Sequence, residues 1–389
     1  MCDLVAGGTP SRKVASYFGG DVPWVKIGDM LENPIRATEE KITASGLKNS
    51  NAKVIPAGTV LVSIFATVGR ATVLGIDAAT NQAIVAVMPK AGVELDRGFL
   101  LHALTASTAS LVKEARGVAQ VNINSSILKQ LRIPLPPLPE QRRIADILDR
   151  ADALKRKRQQ ALQLADDFLR ATFLDMFGDP LRPDGTFAMP RLGEVASTTS
   201  GGTPSRKDDR NYGGDVPWVK SGELHTDIVI ETEEFLSVQG LSNSAAKIMP
   251  PGTILLAMYG ATAGVVSELG LEAATNQAIC SITVGPSVDR LYIKYFLKAV
   301  TANLLKQCVG GAQPNLNQEL IRDMRIPVPP LELQKQFALA VENVSVLKRR
   351  LVDSAMEALS LAGSLQLQLL CDTGHFGINH EPMHGLPSG

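Results

Sequence analysis

Short runs of β-branched residues, separated by turns, occur in the first part of the chain. Val60–Phe65 and Ile84–Met88 are rich in Val and Ile and are bounded by Gly, Pro or Asn, so each is predicted to form a strand. Gly98–Ala115 carries apolar residues three and four positions apart, which predicts a helix. The pattern therefore indicates a domain of mixed α and β structure.

Two long segments have a different pattern. Glu140–Phe173 contains no Gly or Pro and carries an apolar stripe at three- and four-residue steps, and Glu332–Leu370 repeats that stripe. Each segment predicts a helix of about 35 residues, roughly 50 Å long. Burial of one Leu or Ile contributes about 1.5–3 kcal/mol, so neither stripe is expected to face water. The stripe residues are Ile144, Ile147, Ala151, Leu154, Ala161, Ala165 and Phe168, then Phe337, Val341, Val344, Leu347, Leu351, Ala355, Leu359, Leu361 and Leu365.

We expect the two helices to form an antiparallel coiled coil that holds the domains at its opposite ends. The alternative is that each helix packs on its own domain.

The chain is a tandem duplication. Both tryptophans occupy equivalent positions, at a constant offset of 194 from Gly7 to Gly201. The second copy has one additional residue before its Thr-Asn-Gln-Ala motif, so the offset is larger by one there. The matched segments are Gly7–Lys13 with Gly201–Lys207, Gly19–Lys26 with Gly213–Lys220, Ala78–Ile84 with Ala273–Ile279, and Ile133–Leu138 with Ile326–Leu331.

The duplication predicts an α+β chain in which two mixed α/β domains in tandem are separated by two long helices. The predicted boundaries are a first domain at 1–138, a helical spacer at 139–178, a second domain at 179–330, a second spacer at 331–371 and a flexible tail at 372–389.

Composition restricts the class of protein. With 45% hydrophobic and 20% charged residues, the chain is typical of globular proteins. Its 39 basic and 39 acidic residues leave no net charge, which argues against a protein that coats nucleic acid through bulk charge. The sequence shows no transmembrane run, no secretory signal and only scattered cysteines, so a cytoplasmic protein with reduced thiols and no membrane partner is expected.

Motifs of several enzyme classes are missing from the sequence. No Gly-x-Gly-x-x-Gly follows a predicted strand, and neither a Walker Gly-Lys-Ser/Thr nor the Asn/Asp-Pro-Pro-Tyr/Phe of an amino-methyltransferase occurs. His380–His384 matches the zinc-protease pattern, but that pattern needs a stable helix and Pro382 lies inside it. We therefore expect a frayed tail there, and no catalytic residue, metal or cofactor.

The duplicated signatures together resemble the specificity subunit of type I restriction–modification systems. The resemblance covers nearly the whole chain. It rests on Gly-Gly-Thr-Pro-Ser near each domain start, Gly-Asp-Val-Pro-Trp-Val-Lys after it, Thr-Asn-Gln-Ala-Ile, Ile-Pro-x-Pro-Pro-Leu before each helix, and the segment Phe173–Asp179.

The resemblance implies a DNA-binding subunit that performs no chemistry. Each domain would be a target-recognition domain that reads one half of a split, asymmetric site on double-stranded DNA, and the helices would fix the gap. Two methyltransferase subunits would dock on the helices and methylate an adenine in each half-site, and two restriction (motor-nuclease) subunits would join them. One departure is visible: Pro190–Val195 precedes the second Gly-Gly-Thr-Pro, whereas only Met1–Ala6 precedes the first, so the completeness of the first domain's opening strand or helix is open.

Sequence-specific binding needs side chains that reach base edges, with cations and amides that hold phosphates. Because the copies share their framework, divergent residues are expected to distinguish the bases. The divergent segments are Val14–Phe18 against Asp208–Tyr212, Ile27–Arg36 against Ser221–Ile230, and Ala66–Thr72 against Gly260–Ser267, with Arg70 aligned to Val265. The candidate DNA-contacting residues are Ser11, Arg12, Lys13, Tyr17, Lys26, Lys48 and Arg70 in the first copy, and Ser205, Arg206, Lys207, Arg210, Tyr212, Lys220, Lys247 and Tyr259 in the second.

Several of the shared residues also have a structural interpretation that does not involve reading DNA bases. Arg12 and Arg206 are shared, which favours phosphate contacts over base contacts. Trp24 and Trp218 are expected to be core anchors rather than stacking platforms. The remaining shared amides are expected to satisfy buried backbone groups: Asn81, Gln82, Asn276, Gln277, Gln120, Asn122, Asn124, Gln313, Asn315 and Asn317.

The basic run Lys155–Arg158 has two interpretations, a solvated helix face or a site for partner subunits or gap DNA. Two alternative functions also remain: the recognition half of a fused restriction–methylation enzyme, and a duplicated protein-interaction adaptor without DNA specificity.

Overall fold

The chain forms two compact units, each with one copy of the duplication. A computed structural model describes residues 1–108, 111–112, 123, 125–307, 315–371 and 377–378. The first unit comprises Met1–Arg158 with Asp353–Gly389, and the second comprises Gln159–Val352. Each long helix contributes to both units, so these divisions differ from the domain boundaries predicted from the sequence, which stay predictions.

The first unit contains two four-stranded sheets. Its strands are β1 (Cys2–Ala6), β2 (Phe18–Val25), β3 (Glu40–Ile42), β4 (Val54–Ile55), β5 (Val60–Ser63), β6 (Ala71–Val73), β7 (Ala78–Thr80), β8 (Ile84–Pro89) and β9 (Leu131–Arg132). Its helices are α1 (Ala44–Lys48), α2 (Arg97–Ala106), α3 (Ser125–Gln130) and the first part of α4 (Leu138–Phe177). The strand orders are β1-β8-β5-β6 and β3-β2-β7-β4, so the two buried, β-branched strands β5 and β8 lie at the centre of one sheet.

The second unit repeats this architecture. Its strands are β10 (Ala196–Ser200), β11 (Tyr212–Val219), β12 (Ile228–Val229), β13 (Glu234–Leu236), β14 (Ile254–Ala257), β15 (Val266–Leu269), β16 (Ala274–Thr275) and β17 (Ile279–Val284). Its helices are α5 (Leu192–Val195), α6 (Val238–Ser242), α7 (Arg290–Gln307), α8 (Gln318–Asp323) and the first part of α9 (Leu331–Cys371). The strand orders are β10-β17-β14-β15-β12 and β13-β11-β16, which match those of the first unit except at two edges: β12 is added to one sheet, and an isolated bridge between Met249 and Ala273 stands where β4 pairs with β7.

The opening strand of the first domain pairs as fully as its counterpart. Strand β1 pairs antiparallel with β8 over five residues, from Cys2 opposite Pro89 to Ala6 opposite Val85. Strand β10 pairs with β17 over the same length. The two opening strands therefore occupy equivalent places in their sheets.

The predicted local elements are largely confirmed. Val60–Phe65 and Ile84–Met88 correspond to β5 and β8, and the two long helices extend slightly beyond their predicted ends. The helix predicted at Gly98–Ala115 begins one residue earlier, and α2 ends at Ala106, where the Ser107 side chain donates a hydrogen bond to the carbonyl of Ala103 at 2.7 Å.

The two long helices run antiparallel within the second unit. Phe173 of α4 contacts Phe337 of α9, with ring centroids 5.4 Å apart, and Asp166 of α4 pairs with Lys348 of α9 at 2.6 Å. Residue numbers fall along α4 as they rise along α9, so the predicted antiparallel coiled coil and the α+β class are confirmed.

The alternative packing also occurs at the start of each helix. Ile144 and Leu148 of α4 are buried against Phe99 of α2, and Phe337 and Val341 of α9 join the core of the second unit. Each helix therefore packs on the domain that precedes it as well as on its partner helix.

Among the stripe residues whose side chains the structure describes, which exclude Ala355, Leu359, Leu361 and Leu365, the prediction is wrong at three positions. Leu154, Phe168 and Leu347 are exposed, whereas Leu169 is buried. Within the second unit, the buried face of α4 is set by Leu169 together with Phe173 and Phe177, which lie four residues apart. Phe168 lies about 100° around the helix from Leu169, which turns it away from that core.

Part of the predicted tail forms a strand. Gly377–Ile378 (β18) pairs antiparallel with β9. The rest of 372–389, including His380–His384, lies outside the described residues.

Candidate nucleic-acid interface

The Gly-Gly-Thr-Pro loop of each copy lies against the Thr-Asn-Gln-Ala loop. The N–H of Gly8 donates to the carbonyl of Thr80 at 2.9 Å, and a Cβ added at Gly7 would lie 2.2 Å from the carbonyl oxygen of Asn81. The two backbones approach so closely that only glycine fits. The second copy repeats this contact through Gly201, Gly202 and Thr275.

The shared amides divide into two groups. The Asn81 side chain accepts a hydrogen bond from the N–H of Ala83 at 3.1 Å, Asn276 accepts from Ala278 at 3.2 Å, and Asn317 caps α8. The prediction that they bind backbone is confirmed for these three. Gln82 and Gln277 are instead exposed and accept hydrogen bonds from the hydroxyls of Thr9 and Thr203. Gln120, Asn122, Asn124 and Gln313 lie outside the described residues.

Both tryptophans are core anchors, as predicted. Trp24 is buried and its indole N–H donates to the carbonyl of Gly8 at 3.1 Å. Trp218 is buried and donates to Gly202 at 3.0 Å. Each indole thus fixes the start of the loop that carries the candidate basic residues.

The basic residues of that loop lie in an ion-pair cluster. In the first copy, the Glu40 carboxylate lies 2.8 Å from the Arg12 guanidinium and 2.7 Å from the Lys26 ammonium, and Glu39 lies 2.7 Å from the same ammonium. The Arg12 guanidinium also lies over the ring of Phe18, 4.4 Å from its centroid. Arg12 and Lys26 are therefore held in fixed positions rather than extended freely into solvent.

The second copy reproduces this cluster. Glu234 lies 2.8 Å from both Arg206 and Lys220, and Glu233 lies 3.3 Å from Lys220. Arg206 lies 4.3 Å from the ring centroid of Tyr212. We call Arg12, Lys26, Glu39 and Glu40, and their counterparts Arg206, Lys220, Glu233 and Glu234, the shared ion-pair clusters.

Ion pairing shifts the pKa values of Glu40, Lys26, Glu234 and Lys220 toward their charged forms. The hydrogen bond from Arg12 holds the pKa of Glu40 below its ordinary value, and the hydrogen bond to Glu39 holds the pKa of Lys26 above its own. Arg206 likewise lowers the pKa of Glu234, and the bond to Glu234 raises the pKa of Lys220. At neutral pH the carboxylates therefore offset much of the positive charge of this surface.

Other candidate residues lie near the clusters. Ser11, Lys13, Ser205 and Lys207 are exposed on the same loops. Arg210 is exposed and pairs with Asp208 at 2.8 Å, and the Tyr212 hydroxyl donates to the carbonyl of Pro204 at 2.6 Å. Tyr17 is half-buried beside Gly46 of α1. Lys48 is exposed in the last turn of α1.

The turn between the third and fourth strands of the larger sheet differs in length between the copies. In the first copy Ala66-Thr67-Val68-Gly69 joins β5 to β6, and in the second Gly260-Ala261-Thr262-Ala263-Gly264 joins β14 to β15. The residue gained in the second copy lies here. Ala66 has a φ of 57°, and Gly260, at the equivalent place, has a φ of 87°. A left-handed alanine is strained, and such strain clusters at functional sites.

The candidates Arg70 and Tyr259 flank these turns. Arg70 is half-buried, and its carbonyl accepts from the N–H of Ser63 at 2.9 Å. Tyr259 is half-buried and its hydroxyl bonds the Gln277 side chain, which places it beside Thr203. The structure thus brings Tyr259 to the Gly-Gly-Thr-Pro loop.

The second divergent segment also presents exposed side chains. Leu31 and Ile230 are about three-quarters exposed, in Ile27–Arg36 and Ser221–Ile230 respectively. The segments are anchored to the neighbouring strand through Ile35 and Val229, which are buried. These exposed apolar residues were not among the sequence candidates, and divergence between the copies was the signal that pointed to their segments.

Lys53 is a further residue that the sequence candidates omitted. It is exposed and lies next to Ala52, whose backbone N would lie 2.3 Å from a Cβ at Gly8. Lys247 is its equivalent at the same offset of 194 and is also exposed. The repeat itself carried the signal for this pair.

The described part of the chain shows neither a metal-binding cluster nor a membrane-spanning helix. In residues 1–108, 111–112, 123, 125–307, 315–371 and 377–378, no group of three or more His, Cys, Asp or Glu is arranged to hold a metal ion. Over the same residues, no helix combines the length and apolar character needed to cross a membrane. Burial raises the pKa of the Cys280 thiol to about 12, so it stays protonated at neutral pH.

Comparisons with known proteins agree on one family. The chain matches the family described as type I restriction modification DNA specificity domain twice, over residues 1–164 and 185–350. It is 25% identical to the type I restriction enzyme MjaIX specificity subunit of Methanocaldococcus jannaschii, over 87% of this chain and 84% of that protein. It is 30% identical to the EcoR124I/EcoR124II specificity subunit of Escherichia coli, over 38% of each chain.

A solved structure shares the fold. The crystal structure of the type I restriction-modification S subunit from M. genitalium superimposes with a TM-score of 0.59 at 16% identity, over 95% of this chain and 93% of that one. With two family matches that together span most of the sequence, the chain belongs to the type I restriction modification DNA specificity family.

Proposed function

We propose that this chain is the non-catalytic specificity subunit of a type I system, which binds double-stranded DNA at a bipartite target and directs partner methyltransferase and restriction subunits to it. The observation that carries the proposal is the duplication itself. One framework occurs twice, with the same sheet order and the same ion-pair cluster, and the two copies differ in surface segments.

The divergent segments suit the reading of bases. Leu31 and Ile230 expose large apolar side chains, which can contact thymine methyl groups, and Arg70 stands where the second copy has Val265. Two different sets of reading side chains on one framework recognise two different half-sites. The target is therefore asymmetric.

The shared surface suits the binding of phosphates. Lys13, Lys53, Lys207 and Lys247 are exposed at equivalent or neighbouring places in the two copies. Contacts to phosphates position a protein without reading sequence, so shared cations serve both half-sites alike. Pairing of Arg12 and Arg206 with carboxylates limits the non-specific charge of the same surface.

The long helices suit the docking of protein partners. Leu164 and Phe168 of α4, and Leu339 and Leu347 of α9, are each more than half exposed. Neighbouring exposed apolar residues are typical of a protein interaction site, and Leu164 and Phe168 lie about one helical turn apart. We assign these residues to the two methyltransferase subunits, and the restriction subunits then join through the methyltransferases.

Selection of bound DNA tests this function. The chain, in complex with the methyltransferase subunit of its own system, is mixed with a random duplex library, and the bound DNA is sequenced. We expect one motif of two unlike halves at a fixed separation. A complex that forms but enriches no sequence would instead support the protein-interaction adaptor.

A further inference from the structure

A row of five charged residues crosses the second copy. The Lys294 side chain of α7 is 1% exposed, and its ammonium donates to both a carboxylate oxygen and the carbonyl of Asp227 at 3.0 Å. The same ammonium lies 3.3 Å from the Glu268 carboxylate of β15. At the two ends of the row, Lys298 pairs with Asp227 and Arg290 pairs with Glu268.

The first copy has the equivalent region of the fold without the charges of Lys294, Glu268 and Asp227. Gln141 accepts from the N–H of Asp96 at 2.8 Å, and Gln334 accepts from the N–H of Asp289 at 2.7 Å, which aligns α2 with α7. The residues equivalent to Lys294, Glu268 and Asp227 are then Leu101, Val73 and Asn33. The first domain folds with these uncharged residues, so the fold itself does not require the charges.

The segment that contains Asp227 borders a cleft on one side, although its Leu224 and Val229 side chains are buried in the core. Leu224, His225, Thr226 and Asp227 line a cleft of about 900 Å³. On the other side, the Ser267 hydroxyl donates to the carbonyl of Thr226 at 2.7 Å, and the Lys294 ammonium binds Asp227. The ion pairs therefore act together with the backbone hydrogen bond from the Glu268 N–H to the Asp227 carbonyl in holding this part of the divergent segment Ser221–Ile230.

We propose that Lys294 is a positioning residue for the half-site read by the second copy, where it fixes Asp227 and thereby the divergent segment Ser221–Ile230. The inference rests on the proposed function. Lys294 is buried, so it acts through Asp227 and not by touching DNA. Hydrogen bonds between charged groups are strong and directional, and a buried ionic network can fix one arrangement without adding stability.

Half-site-resolved binding tests this role. Affinity is measured for the chain in complex with its methyltransferase subunit, on duplexes that carry single base-pair substitutions throughout both half-sites of the selected motif. For Lys294→Met we expect discrimination between the correct and the substituted base pair to fall about tenfold in one half-site. A correct base pair there raises the affinity about ten- to a hundredfold, so a positioning defect can remove about tenfold of it. Discrimination in the other half-site should stay unchanged. The matched control is Lys348→Met, which removes a lysine that pairs with Asp166 between helices of the same unit.

Two further variants keep the test decisive if Lys294→Met does not fold. Asp227→Asn installs the residue of the first copy and leaves the buried Lys294–Glu268 pair in place, so it should fold and lose discrimination in the same half-site. Lys294→Arg should recover part of the loss. A folded Lys294→Met or Asp227→Asn protein that discriminates like the wild type at every base pair would overturn the inference, as would equal losses in both half-sites. A wild-type complex with no discrimination at all would instead overturn the proposed function.

Discussion

The shared basic residues of each copy are bound to carboxylates within the protein. Glu40 holds Arg12 and Lys26 together, and Glu234 does the same for Arg206 and Lys220. These carboxylates remain about a third exposed, so their contribution to stability is small. Under the proposed function, their larger effect is on the charge that this surface offers to DNA.

Glu40→Gln is therefore expected to strengthen DNA binding at low salt. Removal of the carboxylate charge frees one cation, which can neutralise one further phosphate and steepen the slope of log K against log salt by about 0.9. The measurement is a salt titration of binding to non-target duplex. Glu140→Gln, which breaks an exposed helix ion pair with Arg143, is the control. Weaker binding by Glu40→Gln would contradict the assignment of this surface to DNA.

A pH effect follows from the charged residues of the second copy. Burial opposes ionisation of Asp227, but Lys294 and Lys298 lower its pKa from 3.8 to about 2. A carboxyl whose pKa is lower in the folded protein adds stability above the unfolded value and loses it as pH falls. We expect the melting temperature to fall less between pH 5 and pH 3 in Asp227→Asn than in the wild type. An equal fall in both proteins would show that Asp227 does not carry this effect.

At the scale of elements, α4 changes partners along its length. Near its start it packs on α2, and further along Phe173 stacks on Tyr292 at 5.7 Å and meets Phe337 of α9. The exposed Phe168, five residues earlier on the same helix, makes no part of that core.

This arrangement predicts unequal costs for two similar substitutions. Phe173→Ala should lower the free energy of unfolding by about 3–5 kcal/mol, because it leaves a cavity among aromatic rings. Phe168→Ala should change it by less than about 1 kcal/mol, since its side chain is mostly exposed. Urea unfolding of both variants makes the comparison, and similar losses would contradict the packing described. If Phe168 belongs to the methyltransferase surface, its substitution should weaken subunit assembly instead.

The elements could be predicted from local sequence, whereas their partners could not. Strands β5 and β8 and the two long helices follow from β-branched runs and apolar periodicity over neighbouring residues. Which face of α4 is buried depends on Phe337 and Tyr292, far away in the chain. The apolar stripe therefore predicted burial of Phe168 wrongly. The Arg12–Glu40 pair joins residues 28 positions apart, and only the matching Glu234 in the second copy signalled it.

The whole molecule carries two copies of one framework that differ in their surface segments. The copies agree in sheet order, tryptophan anchors and ion-pair clusters, and they differ in the turn at Ala66–Gly69 and in the segment at Ile27–Arg36. Under the proposed function, the divergent segments set the identity of each half-site and the helices set the distance between the half-sites, so the two properties are separate.

An insertion in α4 separates these two properties. Four extra residues add about one helical turn, roughly 5.4 Å, and should lengthen the gap by one or two base pairs while both half-sites stay the same. DNA selection with the inserted chain gives the gap directly. An unchanged gap in an assembled complex would refute the helices as the determinant of spacing.

The central claim is that one chain supplies both halves of one target. Methylome sequencing tests it most directly, in a host without adenine methylation of its own that expresses this chain with the methyltransferase subunit of its system. We expect one asymmetric motif of two halves at a fixed gap, with a methylated adenine in each half, and no methylation when this chain is omitted. A continuous motif, or methylation that does not depend on this chain, would contradict it.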